Sequence, residues 1–187
     1  MGKRSDKNER LVNAAAELFW TRGFAATSLA DIANASSVPL GNVYYYFKTK
    51  SEIAAAVAEL FVRQLQIALT AIDSDYAEPA ERIGAFFNLI SASNNARATR
   101  GCPIARAMSD LSAVNDDVAT KTGEPLIVMT EWLAVQARVA GLSDPVIRAE
   151  RAIAEWQGAI LLARAHGVPS RLDEAVKRIR RQFIAGY

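Results

Sequence analysis

Residues 14–53 read AAAELFWTRGFAATSLADIANASSVPLGNVYYYFKTKSEI, and this stretch decides the fold. Leu11, Ala14, Ala15, Leu18 and Phe19 recur at helical spacing, so a first helix is expected from about Asn8 to Arg22 with one apolar face. Gly23 stops it, and Phe24 packs back on that face. Ser28 and Asp31 have the spacing of a capping box, which starts a short second helix with Leu29, Ile32 and Ala33 turned inward. Ala35-Ser36-Ser37 forms a turn. Pro39 suits the first position of a third helix, since its missing N–H would be unpaired there anyway. Val43 and Phe47 are the inward side of that helix.

Two short helices joined by a tight turn and buttressed by a third make a helix-turn-helix plan, in which the later helix enters a major groove. Leu40, Asn42, Tyr44, Tyr45 and Tyr46 lie on its outward side, and Gly41 permits close approach of a backbone. Three consecutive tyrosines on one short helix cannot all be core residues, because successive side chains point about 100° apart. Tyrosine hydroxyls bond phosphate, and the rings press on sugars or thymine methyls. Lys48 and Lys50 follow where cations would meet phosphates, and Thr27 can offer a hydroxyl at the start of the second helix.

The run resembles the signature of the TetR family of regulators. Phe19, Gly23, Phe24, Thr27, Ile32, Ala33, Val38, Gly41, Tyr44, Tyr46, Phe47 and Lys50 match it without a gap over about forty residues. Pro39 departs from the pattern, which often has a small polar residue there. The resemblance implies an all-α protein with an N-terminal three-helix head, residues 1–50, and a C-terminal helical effector-binding and dimerisation domain, residues 51–187. The DNA contacts expected are Thr27, Ser37, Pro39, Leu40, Gly41, Asn42, Tyr44, Tyr45, Tyr46, Lys48 and Lys50. Implied partners are a palindromic double-stranded DNA operator, a small-molecule effector of unknown identity and a second copy of the chain, with no cofactor.

Beyond the head, Thr49-x-x-Glu52 is a capping box for a long fourth helix ending near Asp73-Ser74-Asp75. Pro79 opens a fifth helix and Gly101-Cys102-Pro103 a sixth. The stretch from Val114 to Gly141 is expected to be a kinked or broken helix, interrupted at Gly123 and Pro125. Asp144-Pro145 starts a helix ending at His166-Gly167, and Ser170-x-x-Asp173 is expected to cap the last. With no linker, the fourth helix must join head and body rigidly. The last two helices resemble the family's dimer-forming pair, for which Ile153, Ile160, Leu161, Leu172, Val176, Ile179 and Phe183 are the expected surface. Candidate liners of an effector pocket between the fourth and eighth helices are Phe61, Phe86, Phe87, Cys102, Met108, Met129, Trp132 and Trp156; ordinary core packing is the competing role for each.

Composition narrows the remaining classes. Half of the 187 residues are hydrophobic, enough for a sizeable core. No run approaches the roughly 18 uninterrupted apolar residues of a membrane span. The basic N-terminus precedes no apolar leader, so a cytoplasmic protein is expected. One cysteine excludes an internal disulfide framework, and one histidine far from it excludes a His/Cys metal cluster. No G-x-G-x-x-G or P-loop spacing occurs, so an all-α enzyme fits badly. Net charge is only +2, yet residues 1–50 hold seven Lys/Arg against four Asp/Glu, a basic end on a near-neutral body. An activator with the same head and a helical adaptor without DNA are the alternatives. Cys102 at Gly-Cys-Pro resembles a Gly-Cys subset of the family, some members of which sense electrophiles. A helix start and nearby arginines would favour its thiolate, whereas a small inert core side chain is the plainer reading. His166 complements a helix C-terminus.

Overall fold

A computed structural model describes residues 2–112, 114 and 116–185, and its described residues form ten helices and no strand. They are α1 Gly2–Thr21, α2 Leu29–Ser36, α3 Leu40–Tyr46, α4 Lys50–Asp75, α5 Pro79–Ser91, α6 Asn94–Arg100, α7 Pro103–Ser112, α8 Asp116–Val139, α9 Pro145–His166 and α10 Ser170–Ala185. The chain divides into two compact units, Met1–Arg63 with Pro103–Pro125, and Gln64–Cys102 with Leu126–Tyr187.

The first unit, the head, is built around Leu11, Ala15, Phe19, Ile32, Val43, Phe47, Ile53 and Val57, joined by Leu111 and Ala119 from α7 and α8. Helix α1 starts at Gly2 rather than near Asn8, because residues 2–8 carry no apolar stripe from which a helix could be read. Phe24 folds back as expected, its ring 5.3 Å from that of Phe19. By length and composition α4 could cross a membrane. Its buried residues Ile53, Ala54, Val57 and Leu60 instead pack in the core of the head.

The second unit, the body, packs α9 along α10, with α6 against α9 and α5 against α10. Phe86, Trp156, Leu133, Ile160, Leu172, Ile179 and Phe183 are almost wholly buried there. Phe86 stacks on Trp132 at 5.6 Å, and Phe87 meets Phe183 at 5.9 Å. Helix α6 was not readable from the sequence, since Asn94–Arg100 (NNARATR) is polar and lacks helical periodicity. Of the kinked or broken helix expected here, the break is corrected: α8 runs through Gly123 and Pro125 as one helix. A proline in mid-helix removes one hydrogen bond, a loss the flanking turns can carry when neighbours pack on them. Asp173 accepts a hydrogen bond from Asn94 Nδ2 at 2.8 Å, which ties α10 to α6.

Candidate nucleic-acid interface

The capping box at the start of α2 forms as its spacing requires. Asp31 N donates to Ser28 Oγ at 3.1 Å, while Ser28 N and Oγ donate to Asp31 Oδ2 at 2.8 and 2.6 Å. Those two Ser28 donors, with Arg22 3.6 Å away, hold the Asp31 carboxyl below the usual carboxylate range. At the other end Ser37 adopts a left-handed conformation, φ 54°, and Val38 N reaches back to Ala33 O at 3.0 Å. Arg10 covers this terminus from α1, donating to Ser36 O at 2.5 Å and Ser37 O at 3.1 Å. The turn between the two helices is therefore Ser37-Val38-Pro39, two residues later than the sequence suggested. Pro39 is the N-cap of α3 rather than its first helical residue, its carbonyl accepting from Asn42 N at 2.8 Å.

Helix α3 buries Val43 completely and turns a broad face outward. Leu40, Tyr44 and Tyr45 are 41%, 49% and 57% exposed, while Tyr46 is partly buried against the core. Asn42 is partly exposed, and Ser37, Pro39 and Gly41 lie at the surface. Nothing among the described residues comes within 4 Å of the place a side chain on Gly41 would occupy. Lys48 is exposed, its ammonium donating to Tyr44 O at 2.9 Å at the end of α3.

Two expected contacts turn inward. Thr27 is 1% exposed, and its hydroxyl donates to Gly23 O at 2.8 Å. Lys50 donates to Phe24 O at 2.6 Å, Thr27 O at 2.8 Å and Ala25 O at 3.4 Å, with its ammonium 4.3 Å from the centre of the Phe24 ring. An ammonium has three protons, and here three carbonyls take them. Without DNA, both side chains hold the α1–α2 loop in shape rather than standing free for a phosphate.

The same loop is gripped by residues no local pattern reveals. Arg106 Nη1 donates to Trp20 O at 3.0 Å, and Phe24 N donates to Asp110 Oδ2 at 2.9 Å, both from α7. Gly23 lies between them at φ +95°, where an added Cβ would stand 2.7 Å from Arg106 Nη2. Arg106 and Asp110 lie 86 residues from their partners, so only the fold brings them together.

The expected effector liners divide between the units. In the head, Phe61 borders a cavity of about 20 Å³, room for about one water. Met108 packs on Gly123, with Sδ 3.1 Å from the position of an added Cβ. In the body, Phe86, Phe87, Cys102, Met129 and Trp156 are buried and Trp132 is partly so. Of the expected dimer surface, Ile153, Ile160, Leu172, Val176, Ile179 and Phe183 are 7% exposed or less within the single chain, so they pack in its own core. Only Leu161, at 67%, faces outward.

Residues 11–57 match the family model for bacterial regulatory proteins of the tetR family. The chain is 26% identical over 182 residues to the HTH-type transcriptional repressor DhaR of a Mycobacterium species, covering 91% of this chain and 89% of that one. It is 27% identical to the transcriptional regulator AcuR of Cereibacter sphaeroides, covering 95% and 85%. A TetR transcriptional regulator from Chloroflexus aurantiacus has the same fold, with a TM-score of 0.82 at 21% identity over 99% and 98% of the two chains. Residues 11–57 thus carry a TetR-type DNA-binding head, and the chain as a whole is similar in sequence and fold to helix-turn-helix transcription regulators that bear it.

Proposed function

We propose that the chain is a cytoplasmic homodimeric repressor, released from a palindromic operator by a small-molecule effector. The observation that carries DNA reading is the exposed face of α3, Leu40, Gly41, Tyr44 and Tyr45, on a scaffold whose inward residues are fully packed. Empty space over Gly41 lets a DNA backbone approach the helix closely. Tyr44 and Tyr45 supply hydroxyls and ring faces, and Lys48 supplies a cation. Repression is the reading favoured by similarity to DhaR, a protein described as a repressor.

For the dimer, the supporting feature is an open groove of about 590 Å³ on α9 and α10, lined by Gly158, Ala159, Leu162 and Ala175. Leu161 and Leu162 are 67% and 59% exposed along α9. Small residues let helices approach closely. The flanking Glu155 and Glu174, with Arg171 and Arg178, give a two-fold arrangement opposite charges to pair. Leu162→Glu should therefore yield a monomer by sedimentation at micromolar concentration; a dimer of unchanged stability would move the interface elsewhere.

An effector acts by preferring the arrangement in which the two recognition helices no longer match successive major grooves, about 34 Å apart. Cys102 is 5% exposed, which favours a packing or lining role over capture of an electrophile. The Gly-Cys subset reading would regain support if alkylation released DNA and Cys102→Ser abolished the release.

The decisive test is selection of bound sequences from random duplex DNA, followed by anisotropy titrations at several salt concentrations. A palindromic site is expected. Tyr45→Ala should weaken binding by about tenfold, and Lys48→Ala should lower the salt slope by about one unit per head. Sequence-blind binding, or equal affinity in Tyr45→Ala, would refute α3 as the reader.

A further inference from the structure

Helix α3 carries no charged residue. Between Arg10 and Glu52 the chain has four cations, Arg10, Arg22, Lys48 and Lys50, and each is engaged within the fold. Arg10 donates to Ser36 O and Ser37 O, Arg22 lies 3.6 Å from Asp31, and Lys50 donates to three carbonyls of the α1–α2 loop. Lys48 stands beyond the last turn of α3 and donates to Tyr44 O at 2.9 Å. The carboxylates on either side of α3 in the sequence are spent as well: Asp31 accepts from Ser28, and Glu52 from Lys48 N at 2.7 Å.

What α3 offers a groove is therefore Leu40, Asn42, Tyr44 and Tyr45, all wholly or partly exposed. Successive side chains on a helix stand about 100° apart, so Leu40 and Asn42 flank the bare backbone at Gly41. Leu40 and Tyr44, four apart, form one edge of the face, and Asn42 and Tyr45, three apart, form the other. The backbone N–H of Asn42 is bonded to Pro39 O at 2.8 Å, while its side-chain amide has no partner among the described residues.

That set is complementary to one kind of base pair. Guanine shows the major groove two acceptors, N7 and O6, which Arg or Lys reads; cytosine shows an N4 donor, which Asp or Glu reads. Helix α3 has none of these. Adenine shows an acceptor and a donor side by side, N7 and N6, and one amide meets both with its NH2 and its carbonyl. Against guanine the same carbonyl would face O6, acceptor to acceptor. Thymine presents a C5 methyl that an apolar side chain covers, whereas cytosine has no methyl and would leave N4 unpaired against Leu40. A tyrosine hydroxyl bonds N7 of either purine, so Tyr44 and Tyr45 add affinity without making this choice.

We infer that α3 reads A·T pairs: Asn42 takes adenine through N7 and N6, Leu40 takes thymine through its methyl, and the half-site under the helix is A·T-rich. This choice rests on α3 being the reader proposed above and specifies which bases that reader accepts.

The test uses the full chain and the duplex recovered by selection, with uracil replacing each thymine in turn and 7-deazaadenine each adenine. Anisotropy should find a thymine in each half-site whose replacement weakens binding by about threefold in the parent and not at all in Leu40→Ala. It should also find an adenine whose replacement costs about fivefold or more, with no further loss in Asn42→Ala. Selection repeated with Leu40→Arg should bring guanine into the position that Leu40 served. Unfolding temperatures identify the variants that fold, and the base replacements in the parent decide the matter if one does not. A·T reading is overturned if the selected half-sites are G·C-rich, if neither base replacement is felt, or if each loss persists undiminished in the matching variant. In those cases a palindromic site still stands for the regulator. Binding with no sequence preference removes the reader itself, and the choice of bases with it.

Discussion

In the head, buried polar groups find partners within the chain; in the body, several do not. Thr27, Ser36 and Thr122 are buried in the head, and each hydroxyl donates to a carbonyl three or four residues back. Lys50, Arg106 and Asp110 fix the α1–α2 loop with charge-assisted bonds. Every orphaned buried side-chain atom among the described residues lies in the body: Asn94 Oδ1, Arg97 Nε, Gln136 Oε1, Trp156 Nε1, Gln157 Nε2 and Gln182 Oε1. A reader of DNA needs fixed side-chain positions before it meets its target, and full internal bonding supplies them. The body leaves these six atoms without a partner among the described residues, a cost its packing has to carry.

The strongest challenge to this contrast is to empty one bond set on each side. Lys50→Met keeps the stem over Phe24 but orphans three carbonyls, and should destabilise the head by about 2 kcal/mol in urea unfolding. Operator affinity should fall with it, while the salt slope of the remaining binding holds. Unchanged stability with a slope reduced by one unit per head would return Lys50 to the DNA surface.

Gly23→Ala comes next. The left-handed φ of +95° costs about 1–2 kcal/mol for a residue with a Cβ, and Arg106 must move from its bond to Trp20. Both unfolding and operator binding should register the loss. Arg97→Met is the counterpart in the body, where an apolar side chain replaces an unpaired cation. Ligand-free stability should change by less than about 1 kcal/mol in either direction. A loss as large as that of Lys50→Met would show that the body is as fully bonded as the head.

The parts of this contrast that were legible in the sequence are the local ones. Caps, turns and the three-helix head depend on residues three or four apart, so Ser28, Asp31, Gly23 and Pro79 could be read directly. Lys50 could not, because its carbonyl partners lie up to 26 residues back and its type suits phosphate equally well. Arg10 and Arg106 gave no signal for the same reason. Helix α6 escaped because burial there rests on Asn94 and Ala98 rather than on a stripe of large apolar residues. The expected dimer surface is a different case. Leu172, Val176, Ile179 and Phe183 form the strongest apolar stripe in the body, and the strongest stripe is what the chain's own core consumes first. The weaker pair, Leu161 and Leu162, is left outside.

The smallest effect tests the solvent edge of the head's network. Asp31 closes the capping box of α2, and its bonds to Ser28 hold its carboxyl below the usual range. A folded-state pKa lower than the unfolded one means the unfolded chain binds protons more readily. The contribution is therefore complete above the unfolded carboxylate pKa and is lost as pH falls through the lower, folded one. That places the window below about pH 4, well under the range in which operator binding would be measured. Acid titration of helicity should show a shallower stability loss in Asp31→Asn than in the parent, because the substituted amide has no proton to gain. Ser28→Ala should behave alike and lose about 1 kcal/mol of cap at neutral pH as well. Identical acid slopes in parent and Asp31→Asn would mean that α2 is held by its packing on Ile32 and by Arg10 at its far end. The capping box would then contribute nothing measurable to the rigidity of the reader.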